Sequence, residues 1–325
     1  MYQKSRSYDE IQTILAENFG DRSITAGDVL LVGAIFEKSD VIRLINDVLN
    51  NPELLQKVAN RSYTHALGFD KIVLMDLRKD VPNITQKTQL RLHIWNPENT
   101  GALPIVEALH EHSFDFVSTV LTGHLENQQF LLSPLSKREE AILENLQILI
   151  SKLNPEDLKF LNDQMEIIEA LKLSSVGSRQ FGDLNMQSDL DLNRIYDLTG
   201  LSYNEILLLC SIEGHYVSNR ISGERQAYKH VLKDYVSLTP FCSMLLDEGD
   251  SYFHPYQLPH RLYYDNKILN STILVTTEVP SNPEGGSLQR PTYVQKEEQS
   301  YDKIVLNSES LAKILTDYLD YLNTH

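Results

Sequence analysis

Cysteine is nearly absent from the chain: its 325 residues include only Cys210 and Cys242. Two thiols cannot supply a disulfide framework or a cysteine-rich metal site, so any metal centre must draw on other side chains. Set in "LLLCSI" and "TPFCSM", both cysteines read as buried, inert thiols. No apolar run of signal-peptide length opens the sequence, and no later segment approaches the ~20 residues needed to span a bilayer. The expectation is an intracellular, cytoplasmic protein. Basic residues are outnumbered 29 to 45, for a formal net charge of −16, and no basic cluster interrupts the acidic excess. Nucleic acid and anionic membrane are therefore poorly matched partners, which leaves a small-molecule substrate. A phosphate loop of the Gly-x-x-x-x-Gly-Lys kind is missing, as is any internal repeat.

What is present is a globular composition, 42% hydrophobic and 23% charged, in a chain long enough for one large domain or two ordinary ones. Residues 1–67 read as a helical segment. "SYDEIQTILAENF" has the helical apolar period. "SDVIRLINDVLNN" opens with Ser39 as cap, and "NPELLQKVANRS" with Asn51 as cap and Pro52 at the first helical position. From 68 to 134 the runs are short and strand-like: 69–77, 88–95, 104–113, 114–123 and 124–133, spaced as in an antiparallel sandwich or barrel. Helical periodicity returns in an insert, 135–226. Strands resume over 227–280, with runs at 227–238, 241–253, 259–264 and 271–279. Residues 281–325 form a C-terminal loop and a helix capped by Ser308 or Ser310. The insert covers the barrel mouth or forms a homodimer surface; its sequence does not choose.

The chemistry concentrates in "IVEALHEHSFDFVSTVLTGHL" (105–125). On a strand, residues two apart share a face, so His110 and His112 would present two imidazoles side by side, with Ala108, Phe114 and Phe116 lining the rest of that face. Imidazole is the commonest protein ligand for Fe, Zn, Ni and Cu ions. A third histidine, His260, heads a late strand in "LLDEGDSYFHPYQLPHRLYY". His254 is a rival third ligand but precedes Pro255 in what reads as loop. Arg261, adjacent to His260, should face the other way. In "TQLRLHIW", Arg91, His93 and Trp95 share one face and Leu90, Leu92 and Ile94 the other. If the polar face looks inward, Arg91 could clamp a substrate carboxylate and His93 could serve as a base or further ligand.

These elements resemble the cupin superfamily: His110, His112 and Gly123 match its first motif, and Gly249, Asp250, Pro259 and His260 its second. The resemblance covers roughly 68–134 and 227–280. It implies a mainly β fold with added α, an antiparallel jelly-roll barrel holding a metal on His110, His112 and His260. The family's glutamate would fall at Phe116 or Val117, neither of which can ligate, and strand alternation turns Asp115 away. The remaining neutral three-histidine set is similar to that of the thiol dioxygenases of this superfamily. The resemblance thus implies a mononuclear non-haem oxygenase, with Fe(II) ahead of Zn, Ni or Mn, acting on a small polar, amino-acid-like substrate. Two alternatives stay open: a metal-dependent isomerase, decarboxylase or hydrolase, and a non-catalytic ligand-binding barrel.

Overall fold

Alternation in "TQLRLHIW" sets which way the protein's main sheet faces. Leu90, Leu92 and Ile94 join Ile11, Leu15 and Phe19 of the first helix in one buried cluster, while Trp95 joins a separate one. The computed structural model describes residues 5–65, 69–97, 109–174, 190–209, 211–220, 228–256, 258–264, 267–278, 286–289 and 304–324. Its first sheet contains β1 (Tyr63–Thr64), β2 (Asp70–Asp76), β3 (Thr88–Trp95), β4 (Phe114–Thr122), β8 (Ser251–His254), β10 (Asn270–Glu278) and β12 (Ile304–Val305). Its second contains β5 (His124–Pro134), β6 (Ile212–Arg220), β7 (Tyr228–Asp247), β9 (His260–Tyr264) and β11 (Gly286–Gln289). The orders are β12-β1-β2-β3-β10-β4-β8 and β11-β6-β7-β5-β9, and every pairing is antiparallel.

The two sheets meet across an apolar cluster to which Trp95, Phe116, Val120 and Leu274 come from the first and Leu125, Leu246, Leu262 and Tyr264 from the second. Together they make a curled antiparallel half-barrel, consistent with a cupin-like fold. The outer face of the first sheet is covered by α1 (Tyr8–Phe19), α2 (Val29–Ile35), α3 (Lys38–Leu49), α4 (Pro52–Ala59) and the C-terminal α10 (Ser308–Thr324), so helices from both ends of the chain share one core. A one-turn helix, α5 (Leu77–Asp80), follows β2. Between β5 and β6 lie α6 (Lys137–Ile150), α7 (Pro155–Ser174), α8 (Leu192–Thr199) and α9 (Tyr203–Leu209), with a core of their own around Leu143, Leu146 and Ile206. No described helix is long and apolar enough to cross a membrane.

Several local readings need correction. The cap of α3 is Glu37, not Ser39. The C-terminal helix is capped by Asn307, whose Oδ1 accepts from the Ser310 backbone N–H at 2.8 Å, rather than by Ser308 or Ser310. The runs at 227–238 and 241–253 divide elsewhere: β7 continues through Pro240, beside a bulge in its pairing with β5, to Asp247, and only Ser251–His254 forms the separate strand β8. The segment 135–226 is not helical throughout, because β6 begins at Ile212. In the segment after 281, Gly286–Gln289 is a strand paired with β6; Arg290 and Tyr293 lie outside the described residues.

The crossing from β4 to β5 depends on Gly123, which has φ +74. A Cβ there would lie 2.2 Å from the Asn270 side-chain oxygen, which accepts from the His124 backbone N–H at 3.1 Å. Gly123→Ala should therefore meet strain in both φ and space, and we expect a loss of about 2–3 kcal/mol of unfolding free energy in urea denaturation. An unchanged midpoint would contradict the tight crossing.

Candidate metal centre

His260 is the first residue of β9 and pairs with Gln129 of β5 on one side. On its other side it forms a single bridge with His110, the His110 N–H donating to the His260 carbonyl at 3.0 Å and the His260 N–H to the His110 carbonyl at 2.8 Å. Residues paired in this reciprocal way project their side chains to one face. The expected strand over 104–113 is thus corrected for its described part: residues 109–113 hold one bridge and no ladder. The reason is topological. His110 belongs with the second sheet, β4 starts at Phe114 in the first, and a chain crossing between sheets cannot stay in register with either. Ala108 lies outside the described residues.

The two imidazoles nevertheless converge. The His110 and His112 rings lie 4.8 Å apart and perpendicular, and both lie close to His260, at 4.6 and 5.1 Å between centroids. One ligand-capable nitrogen from each of the three falls within 4.8 Å of the others. The Nε2 atoms of His112 and His260 are 3.0 Å apart. Two nitrogens bound at right angles to one ion, with bonds of about 2.1 Å, would be separated by about 3.0 Å. Phe114 and Phe116 pack on His112 at 4.7 and 5.2 Å; His110 and His112 are half-buried and His260 is buried.

The protonation pattern favours a cation. His260 Nδ1 lies 2.9 Å from the Asn127 side-chain oxygen; with that oxygen accepting, Nδ1 carries the proton and Nε2 is left as the acceptor that faces His112 Nε2. Burial holds the His112 and His260 pKa values well below the ordinary imidazole range, and neighbouring histidines lower them further. Neutral imidazole is the form that ligates a metal. The donor set therefore fits a metal ion, with His110, His112 and His260 as its holders.

Carboxylates close in sequence are engaged elsewhere. Asp115 Oδ1 accepts from the Tyr256 N–H at 2.8 Å. Glu111 Oε1 lies 3.1 Å from His215 Nε2, while Asp234 Oδ1 lies 3.2 Å from His215 Nδ1. This leaves the described cluster as three histidines without an acid. The hydrogen bond to Glu111 raises the His215 pKa, despite partial desolvation and the nearby Lys233. A raised histidine pKa stabilises the fold below the unfolded value near 6.5, and that contribution is lost as pH rises through the folded value. We therefore expect His215→Gln to destabilise the protein more at pH 5.5 than at pH 9; equal losses at both would contradict the clip between Glu111 and β6.

His254 is not a solvent-facing loop residue, as its position before Pro255 suggests, but the fully buried end of β8. Its Nε2–H donates to the Leu258 carbonyl at 2.9 Å and its Nδ1 lies 3.2 Å from the Gln129 amide nitrogen. Both ring nitrogens are thereby used, and burial pulls its pKa down to about 3. It supports His260, 4.1 Å away between ring centroids, rather than competing with it. Arg261 does face away, stacking over Phe130 and donating to Gln128. Cys242 is exposed, not buried, because β7 is open to solvent there; Cys210 lies outside the described residues.

The polar face of β3 looks inward. Arg91 lies opposite Leu274, and Trp95 packs in the inter-sheet cluster that Leu274 also joins. Arg91 is buried, with Nε and Nη2 both donating to Gln89 Oε1 at 2.9 and 2.7 Å. Gln89 in turn donates to Asp76 Oδ2 at 2.8 Å, so the counter-charge reaches the guanidinium only through an amide. Nη1 is buried with no hydrogen-bond partner among the described residues, and burial lowers the Arg91 pKa to about 10. The guanidinium lies 4.3 Å above the Phe114 ring, which itself packs on His112. His93, between Phe69 and Trp95, also has a buried nitrogen, Nε2, with no partner among the described residues, and burial pushes its pKa well down. Asn127, fully buried behind His260, escaped the sequence reading, since one asparagine on an alternating strand gives no signal. Comparison with protein-family models finds no match for the chain, and comparison with curated proteins finds none either.

Proposed function

We propose that this chain is a mononuclear metal enzyme that takes a small anionic substrate beside a three-histidine centre. The observation that carries the reading is the convergence of His110, His112 and His260, with His112 and His260 presenting Nε2 atoms 3.0 Å apart in a desolvated setting. In this reading Arg91 supplies the anion site: its Nη1 edge lacks a partner inside the barrel, and a carboxylate would satisfy it with a charge-assisted hydrogen bond. Gln89 holds the guanidinium in place through the other edge. His93, neutral and with an unpartnered Nε2, is the group placed to accept or return a proton. Phe114 and Phe116 give His112 an apolar flank on one side.

A metal held by three neutral imidazoles keeps its positive charge and leaves positions open for substrate and a second reactant. Carrying the cupin resemblance one step further, the metal is Fe(II) and the second reactant oxygen, with a small amino-acid-like or thiol-bearing carboxylate as substrate. The test is oxygen uptake by Fe(II)-loaded protein across a panel of small amino acids and thiol carboxylates. Substrate-dependent uptake supports the oxygenase. Turnover with no oxygen consumed would move the assignment to Lewis-acid chemistry, and no turnover with retained ligand affinity would move it to a binding barrel.

A further inference from the structure

One buried side chain of β5 holds His260 from behind. Asn127 projects from the middle of β5, between Leu262 of β9 and Met244 of β7, and is wholly buried. Its Oδ1 lies 2.9 Å from His260 Nδ1, and its Nδ2 has no hydrogen-bond partner among the described residues. Burying an amide with an unsatisfied N–H₂ costs about 1–3 kcal/mol, which leucine at this apolar position would avoid only by leaving the His260 Nδ1–H without its acceptor. The residue is therefore poorly explained by packing alone.

We infer that Asn127 is the positioning residue of the centre, fixing the tautomer and angle of His260 so that its Nε2 lone pair faces His112. This inference rests on the metal reading above. Without the Oδ1 acceptor, nothing else on the described inner face is shown to hold the His260 Nδ1 proton. The proton can then move to Nε2, which would abolish the lone pair that ligation needs, and the ring is free to turn. The neutral amide also matters. A carboxylate there would draw the Nδ1 proton and make His260 a stronger donor; an amide orients without adding negative charge to a neutral three-histidine set. Outer partners of this kind typically alter metal affinity about 10–100-fold when removed.

The test uses full-length protein loaded with Co(II), whose visible absorption reports ligand field, alongside chelator competition for affinity. Asn127→Leu is expected to bind Co(II) about 10–100-fold more weakly than the parent, with a changed spectrum; its melting temperature does not decide, because relief of the buried Asn127 Nδ2 is offset by a His260 Nδ1–H left without its acceptor. Asn127→Asp, which keeps an acceptor in place, is expected to restore affinity to the parent level or above and to shift the absorption bands. If Asn127→Leu does not fold, the Asn127→Asp spectrum decides, and bands identical to the parent's overturn the proposal. Parent-like affinity and spectrum in Asn127→Leu overturn it as well, leaving the metal site intact. A parent protein that binds no Co(II) overturns the metal reading itself and this inference with it, an outcome separable from the others because it needs no variant.

Discussion

Replacing Arg91 with methionine is expected to abolish affinity for small carboxylates while leaving the fold as stable as before or more so. The two effects come from the same geometry. Arg91 is a buried cation whose only described hydrogen-bond partner is the neutral Gln89 oxygen, with Asp76 one residue further off. Such a charge is expensive to desolvate, and an apolar side chain of similar volume removes that cost while leaving without its donors only the Gln89 oxygen, on a residue that is half-buried rather than buried. A carboxylate bound to Nη1 would gain a desolvated, charge-assisted contact, and its loss costs about 2–5 kcal/mol, or roughly 30- to 4,000-fold in affinity. Thermal shift with a panel of short carboxylates reads both quantities at once. A variant that melts well below the parent would show that Arg91 is structural, and one that binds carboxylates unchanged would remove it from the site.

The second large effect is expected at His260. His260→Ala removes one of three ligands, leaves the Asn127 oxygen without its donor, and should lower metal affinity by more than about 100-fold. His254→Ala is the control. Its ring lies just 4.1 Å from that of His260, yet its nitrogens are committed to Leu258 and Gln129. It should lower the melting temperature and still bind metal. The opposite pattern, with metal lost only on changing His254, would mean that the wrong buried histidine had been assigned.

Much of this was legible along the chain because local periodicity reports burial. β3 falls at 88–95 as its alternation requires, α1 lies where the apolar period of "SYDEIQTILAENF" puts a helix, and α4 begins where Asn51 caps it. The pair His110 and His112 and the distant His260 could be singled out because unpaired imidazoles in apolar runs need a partner. Their meeting through a bridge rather than a strand could not, since it depends on which sheet each neighbour joins. Asn127 and the clip from Glu111 to His215 are contacts across 133 and 104 residues, and neither leaves a mark on local pattern. β6 was hidden for a related reason: "SIEGHYVSNR" follows an apolar run that extends a helical period, and its strand identity comes from pairing with β7.

The measurement that bears most directly on the central claim is elemental analysis of purified, tag-free protein, run beside His112→Ala. The account predicts near-stoichiometric transition metal in the parent, as isolated or after reconstitution, and its loss in the variant. Metal absent from both after reconstitution, or retained equally by both, would contradict a centre built on His110, His112 and His260.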